Sequence, residues 1–563
     1  MKKNIKITAL LTAGLVAASS IYSCKDEFLE RKPLGAIAET SLSNAAGVNG
    51  SLIQAYRTLR GANIANWYTS PSNWVWGSVR SEEAYKGSEA SDQNQLNPIE
   101  RYEALSNNAS IRDKWNACYD GIGMANTTLR LIPKATDLTA DEALQIEAEA
   151  RFLRGFHHFE ARRTFNKAPY VGEEVLSTAD FQGVKNDTEI YPQIEADLQF
   201  AFDNLTATKA QKGRVNKWAA GAFLAKAYLY QGKYAQAKTL FDQIIANGVT
   251  SSGEKYGLLS KFSDVFKGQF ENSKEVIFGV QTTVGDGTGG LNGNLETELP
   301  NPHNDGPGGC CGFFQPTQTL ANSYRTSGGL PVGDPHANPV LQHENSPDAF
   351  PDRGTFDPRL DHTLGRVGVQ YLDWGVAKSS WIRNLPNGGP FLPKKGLFYQ
   401  SEKGSYQTPG GWGQSISGKN ILVMRFADLL LMAAEAEVEA GSLEKATQYV
   451  NMVRNRAANP DDFVKLNGVD EATYEIAPYA TFTTKDQANT AIRNERLLEL
   501  AMEGHRFYDL VRWGIAESVL DAFLARESGT RTHLAGANFT ASEDSYLPIP
   551  EYVVAQSKGN ITP

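Results

Sequence analysis

The sequence predicts a mainly α protein, a scaffold of helical hairpins that carries one long loop-rich region. Three observations predict it. Residues 217–245 and 427–457 each set small and apolar residues at helical spacing on both sides of a glycine, Gly232 and Gly441, with the same five-residue step from that glycine to an alanine. Residues from about 270 to 420 hold about half of the chain's 51 glycines and almost no periodicity. Further helical stretches recur at 51–60, 147–165 and 494–514.

The chain opens with Lys2, Lys3 and Lys6, followed by a run from Ile7 to Ile21 of mostly Ala, Leu, Val, Ile and Gly. A charged start before an apolar run too short to cross a bilayer reads as a secretory signal over residues 1–23. Ile21-Tyr22-Ser23-Cys24 resembles a lipobox, which would make Cys24 the lipidated first residue of the mature chain; Tyr22 is bulkier than the small residue usual there. The alternative is an ordinary signal peptide in which the cysteine takes no part. Loss of the three leader lysines leaves 52 basic residues against 64 acidic ones. Such a balance argues against nucleic acid or anionic lipid as partners, because nothing offsets phosphate repulsion. No later run is long and apolar enough to cross a membrane, so the expected tether is lipid alone. Residues 24–563 are read as a single domain, with helical scaffold at about 40–265 and 420–515 and a loop-rich ligand face at about 270–420.

Within the scaffold, "KWAAGAFLAKAYLYQGKYAQAKTLFDQII" (217–245) resembles a tetratricopeptide repeat, whose A-x3-F element, here Ala237 and Phe241, packs two short antiparallel helices. "ADLLLMAAEAEVEAGSLEKATQYVNMVRNRA" (427–457) repeats the plan with Ala446 and Val450. "EAEARFLRGFHHFEARRTF" (147–165) puts Ala148, Phe152, Phe156 and Phe159 on one face. Repeats scattered this widely cannot form a solenoid continuous in sequence, but they can stack in space around long excursions. The largest excursion offers one strand, "EVIFGV", and enough Phe, Tyr and Trp to argue against disorder. It reads as the working face.

Taken in order, "CKDEFLERKPLG", "DKWNACYDGIGMANTTLRLI", "EARFLRGFHHFEARRTFNKAPYV", "DPRLDHTLGR", "FADLLLMAAEA", "NERLLELAMEGHRFYDLVRWG" and "YLPIPEYVVAQSKGNITP" resemble the SusD-like (RagB/SusD) family of outer-membrane nutrient-binding lipoproteins of Bacteroidetes. The resemblance covers essentially all of the chain after the leader. It implies tetratricopeptide-like helices under a loop-rich ligand face, and a SusC-like TonB-dependent outer-membrane transporter as partner. It also implies oligosaccharide ligands, or peptides in some branches. Lys25-Asp26-Glu27 resembles the export signal that follows the lipidated cysteine in such lipoproteins and would send the protein to the outer face of the cell.

Residues 494–514 read as a helix with Leu497, Ala501, Tyr508 and Val511 as its apolar face, laced by pairs three apart such as Glu503–Arg506 and Asp509–Arg512; a catalytic pair of carboxylates is the lesser reading. "GDGTGG" (285–290) matches a dinucleotide fingerprint, yet the "LNGNLETELP" after it cannot open the helix that site needs. Adjacent His157 and His158 point different ways on a helix and make a poor metal pair. No cofactor is expected, and calcium at loop carbonyls with Asp286 or Asp305 stays open. A pyranose asks for an aromatic platform under its C–H face and polar groups at its rim. "NWYTSPSNWVWGS" (66–78) supplies Trp67 and Tyr68, adjacent as at a loop tip, and Trp74 and Trp76, at strand-like spacing, in a stretch too broken for a helix. The central region adds Phe313, Phe314, Trp374, Trp381 and Trp412, each of which could instead pin a loop to the scaffold. Of the four cysteines, Cys118 reads as buried in a helix. Cys310 and Cys311, adjacent in a glycine-rich loop, would close a flat eight-membered ring if joined. The expected function is capture of oligosaccharides without bond cleavage and delivery to the transporter, with a peptide or other nutrient binder, and then a glycoside hydrolase, as alternatives.

Overall fold

Asn44 caps the first described α-helix: its side chain accepts from the Gly47 amide at the first turn of α1 (Ala45–Thr58). The computed structural model describes residues 39–61, 67–333, 351–411 and 413–563. The expected leader, Cys24, the Lys25-Asp26-Glu27 signal and Trp412 lie outside the described residues. Asn108 caps α2 (Ala109–Leu131), and a capping box of Thr139 and Glu142 opens α3 (Ala140–Phe165). Next come α4 (Tyr191–Asn204) and the hairpin α5 (Lys217–Tyr230) with α6 (Tyr234–Asn247). The second hairpin is α7 (Phe426–Ala440) with α8 (Leu443–Ala457), followed by α9 (Lys485–Leu500).

Each of these helices packs on the next, and α6 packs directly on α7. The two hairpins therefore stand side by side although the whole loop-rich region separates them in sequence. Small residues make this stacking close: Ala220, Ala225, Ala237, Ala434 and Ala446 are fully buried, together with Phe152, Leu224 and Val450. A Cβ at Gly121 would run into the His157 ring, so this glycine sets how near α2 and α3 approach. The fold is mainly α, as the sequence predicts, with only short two-stranded ladders among the described residues.

One ladder closes the excursion. β2 (Val276–Val280), the strand read in "EVIFGV", pairs antiparallel with β4 (Ile421–Arg425), Ile421 opposite Val280. The excursion thus leaves and re-enters the scaffold at one place. A second ladder, β1 (Ala84–Gly87) with β3 (Phe313–Pro316), sets Tyr85 opposite Gln315 and Gly87 opposite Phe313.

Two expectations need correction. Residues 74–79 form a π-helical turn, neither strand nor irregular loop, in which the Trp74 and Trp76 indoles donate to the carbonyls of Trp67 and Tyr68, each at 2.5 Å. Backbone contact fixes the turn from outside: a Cβ at Gly77 would collide with the Gly504 carbonyl. Residues 494–514 are not one helix. α9 ends at Leu500, and α10 (Arg506–Arg512) begins after a break that contains Gly504 at φ +72. The break redirects the charges. Glu503 pairs with Lys395 at 2.6 Å and Arg425 at 2.8 Å, while Arg506 takes Glu82 at 2.6 Å. Asp509–Arg512 forms as expected, at 2.8 Å. The carboxylates of this region belong to a buried web: Arg359 reaches Glu495 at 2.6 Å and Glu499 at 3.0 Å, Arg425 reaches Glu499 at 2.5 Å, and Arg454 reaches Glu495 at 2.8 Å.

Candidate functional site

β1 and β3 lead outward to a loop over residues 301–312, and the ladder continues into it through Ser88 N–H donating to the Gly312 carbonyl at 2.5 Å. At the loop's crest Cys310 and Cys311 are bonded to each other across a cis peptide, which answers the pairing left open by the sequence. Cys311 is buried and Cys310 half-buried, so the ring shows one edge. The loop is pinned on several sides. Gly312 N–H donates to Asn301 O at 2.8 Å, His303 N–H to Trp381 O at 2.8 Å, and Ser415 N–H to Gly308 O at 3.0 Å. Arg383 donates to Cys311 O at 3.2 Å and pairs with Asp92 at 2.7 Å.

Beneath the ring, Trp74 lies 5.3 Å from Phe314 and 6.5 Å from Phe313 between ring centroids. Tyr68 and Trp76 meet edge to face at 6.5 Å. Tyr68, Trp74, Trp76, Phe313 and Phe314 are all buried in one cluster, against which half-buried Trp67 and Cys310 pack. The expectation that Trp67 and Tyr68 share a loop tip is therefore corrected: Tyr68 turns inward, because its carbonyl and ring both serve Trp76, and Trp67 alone keeps surface. Trp381 is buried and meets Tyr371 edge to face at 5.5 Å. Trp374 is half-buried in a separate small core with Tyr371 and Leu397, its indole donating to Phe398 O at 3.2 Å.

Two buried glutamates that carried no local signal hold the Trp67 segment in place. Glu298 accepts the Trp67 indole at 2.8 Å and also bonds Gln414; burial raises its carboxyl above the usual range, and these two donors oppose the rise. Glu296, from the same turn, accepts Ser70 N–H at 2.7 Å and also takes the Ser72 hydroxyl; burial pushes it up to about 7. Half-buried His303 is lowered by burial and by nearby Arg383. Trp67 and Glu298 are 231 residues apart, so only the fold brings them together. Neither acidic residue considered for calcium is bare. Asp305 pairs with Lys378 at 2.9 Å. Asp286 is held down to about 2 by Thr288, with Asn292 also donating. Among the described residues no group of three or more His, Cys, Asp or Glu is placed to hold a metal ion. Chemically, the arrangement is the accessible part of Trp67 and of the Cys310–Cys311 ring over a buried aromatic cluster, edged by Arg383, Asp92, His303 and Asp305.

A family model described as the SusD family matches residues 274–561, and one described as starch-binding, associating with outer membrane, matches residues 27–229. The chain belongs to the SusD family. Its similarity to SusD-like protein P25 of Formosa agariphila is 25% identity over 531 residues, 89% of each chain. A laminarin binding SusD-like protein of solved structure is 24% identical, with a TM-score of 0.63 over 92% of this chain and 98% of that one. Surface glycan-binding protein A from Bacteroides thetaiotaomicron, solved in complex with laminarihexaose, is 20% identical, with a TM-score of 0.61 over 92% and 99%. These likenesses establish the SusD fold across both the helical stack and the excursion.

Proposed function

We propose that this SusD-family protein binds an oligosaccharide on the Cys310–Cys311 face, holds it without cleaving it, and passes it to a SusC-like TonB-dependent transporter while tethered to the outer membrane through lipidated Cys24. The observation that carries the reading is the half-exposed Trp67 ring, fixed by Glu298 and set with the disulfide edge on one aromatic cluster. A sugar ring stacks its C–H face on such a platform, and Arg383, Asp92 and His303 offer partners to its hydroxyls. The carboxyls near the face are engaged by fixed partners, Glu298 by Trp67, Asp92 by Arg383 and Asp305 by Lys378, which suits binding better than acid–base cleavage. β-1,3-Glucan is the first ligand to try, because two neighbours in fold are named for laminarin or laminarihexaose.

The test is migration of the purified protein through gels containing laminarin, starch and other glycans, with product analysis alongside. Retardation without product is the expected result, and Trp67→Ala and the double variant Cys310→Ser/Cys311→Ser should each weaken it at least about tenfold. Released oligosaccharide would overturn the non-enzyme reading; free migration in every gel would turn the assignment to peptides. Intact mass checks the ring itself, since reduction and alkylation should modify Cys310 and Cys311 only after a reductant is added.

A further inference from the structure

Behind Trp74 and Phe314 lies a cleft of about 160 Å³ between segments 265–276, 395–397 and 419–422. It exceeds the roughly 10–15 Å³ that one water needs and falls below the roughly 300–1,000 Å³ of pockets for drug-sized ligands, so it suits one ring and not a chain. Trp74, Phe266, Phe314 and Leu397 give it apolar walls. Three lysines and three glutamates also line it, Lys267, Lys395 and Lys419 against Glu271, Glu296 and Glu503. The two signs are interspersed around the wall, so the cleft presents no single-sign cluster to an ion. The lysines are also engaged already, Lys267 with Asp264 at 2.7 Å, Lys395 with Glu503 at 2.6 Å, and Lys419 with Leu397 O at 2.7 Å.

One acceptor in the cleft has no donor. Asn294, 8% exposed, lines it, and its Oδ1 has no hydrogen-bond partner, while its Nδ2 reaches Lys419 O at 3.3 Å. A buried acceptor left unpaired is unfavourable, and a ligand hydroxyl would relieve it. Half-buried Lys267, Glu271, Asn272 and Asn420 line its more open side. We propose that this cleft is a second binding site, for a single neutral hydroxyl-bearing ring of monosaccharide size. The ring would lie between the walls formed by Trp74, Phe314 and Phe266, with Asn294 Oδ1 accepting from one hydroxyl. The site shares Trp74 and Phe314 with the disulfide face but needs neither Trp67 nor the cysteines.

Saturation-transfer NMR on the full chain with D-glucose, D-galactose and D-mannose tests it. The expected result is transfer from the Trp67→Ala variant to at least one sugar, about tenfold weaker when Asn294→Ala is added to it. Asn294→Ala removes an acceptor that no protein group uses and one side-chain bond of 3.3 Å to Lys419 O, so the variant should fold. Should circular dichroism show that it does not, Leu422→Trp, which fills the cleft from its rim, is expected to give the same loss. Absence of transfer from all three sugars overturns the proposal, as does binding that survives Asn294→Ala or Leu422→Trp and disappears in Trp67→Ala. Failure of laminarin retardation leaves these readouts untouched, so the two sites stand or fall separately.

Discussion

Glu296 and Glu298 leave one short turn and fasten the two ends of segment 67–72, Glu298 through the Trp67 indole and Glu296 through Ser70 and Ser72. Glu298→Ala is expected to free the indole and cut glycan affinity about tenfold with little change in melting temperature, as titration calorimetry and thermal unfolding would show. Glu296 behaves differently with pH. Its carboxyl titrates near 7 in the fold against an ordinary 4.5. Below the lower value it is protonated in both states; as pH rises toward 7 the unfolded chain ionises first and is favoured. The fold therefore loses on the order of 3 kcal/mol through this group by pH 8. Glu296→Gln should remove that loss, so its melting temperature should gain on the wild type steadily between pH 5 and pH 8.

The break between α9 and α10 shows what an element contributes beyond its residues. By ending α9 at Leu500 it leaves Glu495 and Glu499 facing Arg359, Arg425, Arg454 and Arg456, all of them buried. Glu499→Ala would leave Arg359, Arg425 and Arg456 short of a counter-charge and should destabilise the protein by about 3–5 kcal/mol, measured by denaturant unfolding. Acid acts on the same web with the opposite sign to Glu296. Burial raises Glu503, yet Arg425 and Lys395 hold it down to about 2, so its contribution is full above pH 4.5 and lost as pH falls through 2. The sequence made the hairpins legible because alanine spacing and a glycine break are local signals, and it made "EVIFGV" legible by composition. It could not disclose the π-helical turn at 74–79, which rests on indole-to-carbonyl bonds and on the approach of Gly504, or the true partners of Glu503 and Arg506. Trp67 and Tyr68 differ for the same reason: their fates depend on Glu298 and Trp76, and adjacency says nothing about either.

At the scale of the molecule, the arginine–carboxylate web ties positions 275, 359, 425, 456 and 499 together, and α6 on α7 joins the first half of the stack to the second. The excursion has no separate exit from this framework, since β2 and β4 hold both of its ends. Thermal unfolding is therefore expected as one transition by calorimetry and by tryptophan fluorescence alike; two resolved transitions would show that the face opens before the stack. If the protein is exported as proposed, protease shaving of intact cells should remove it, and full protection would place it inside.

The Cys310–Cys311 ring also gives the face a history. In a reducing cytoplasm the same two residues would stand as separate thiols, with no ring at the crest of the loop. The helical stack, which contains no disulfide among the described residues, has no such requirement. Binding at this face and folding of the stack would then be acquired at different times, the second without an oxidant and the first only after the chain has met one.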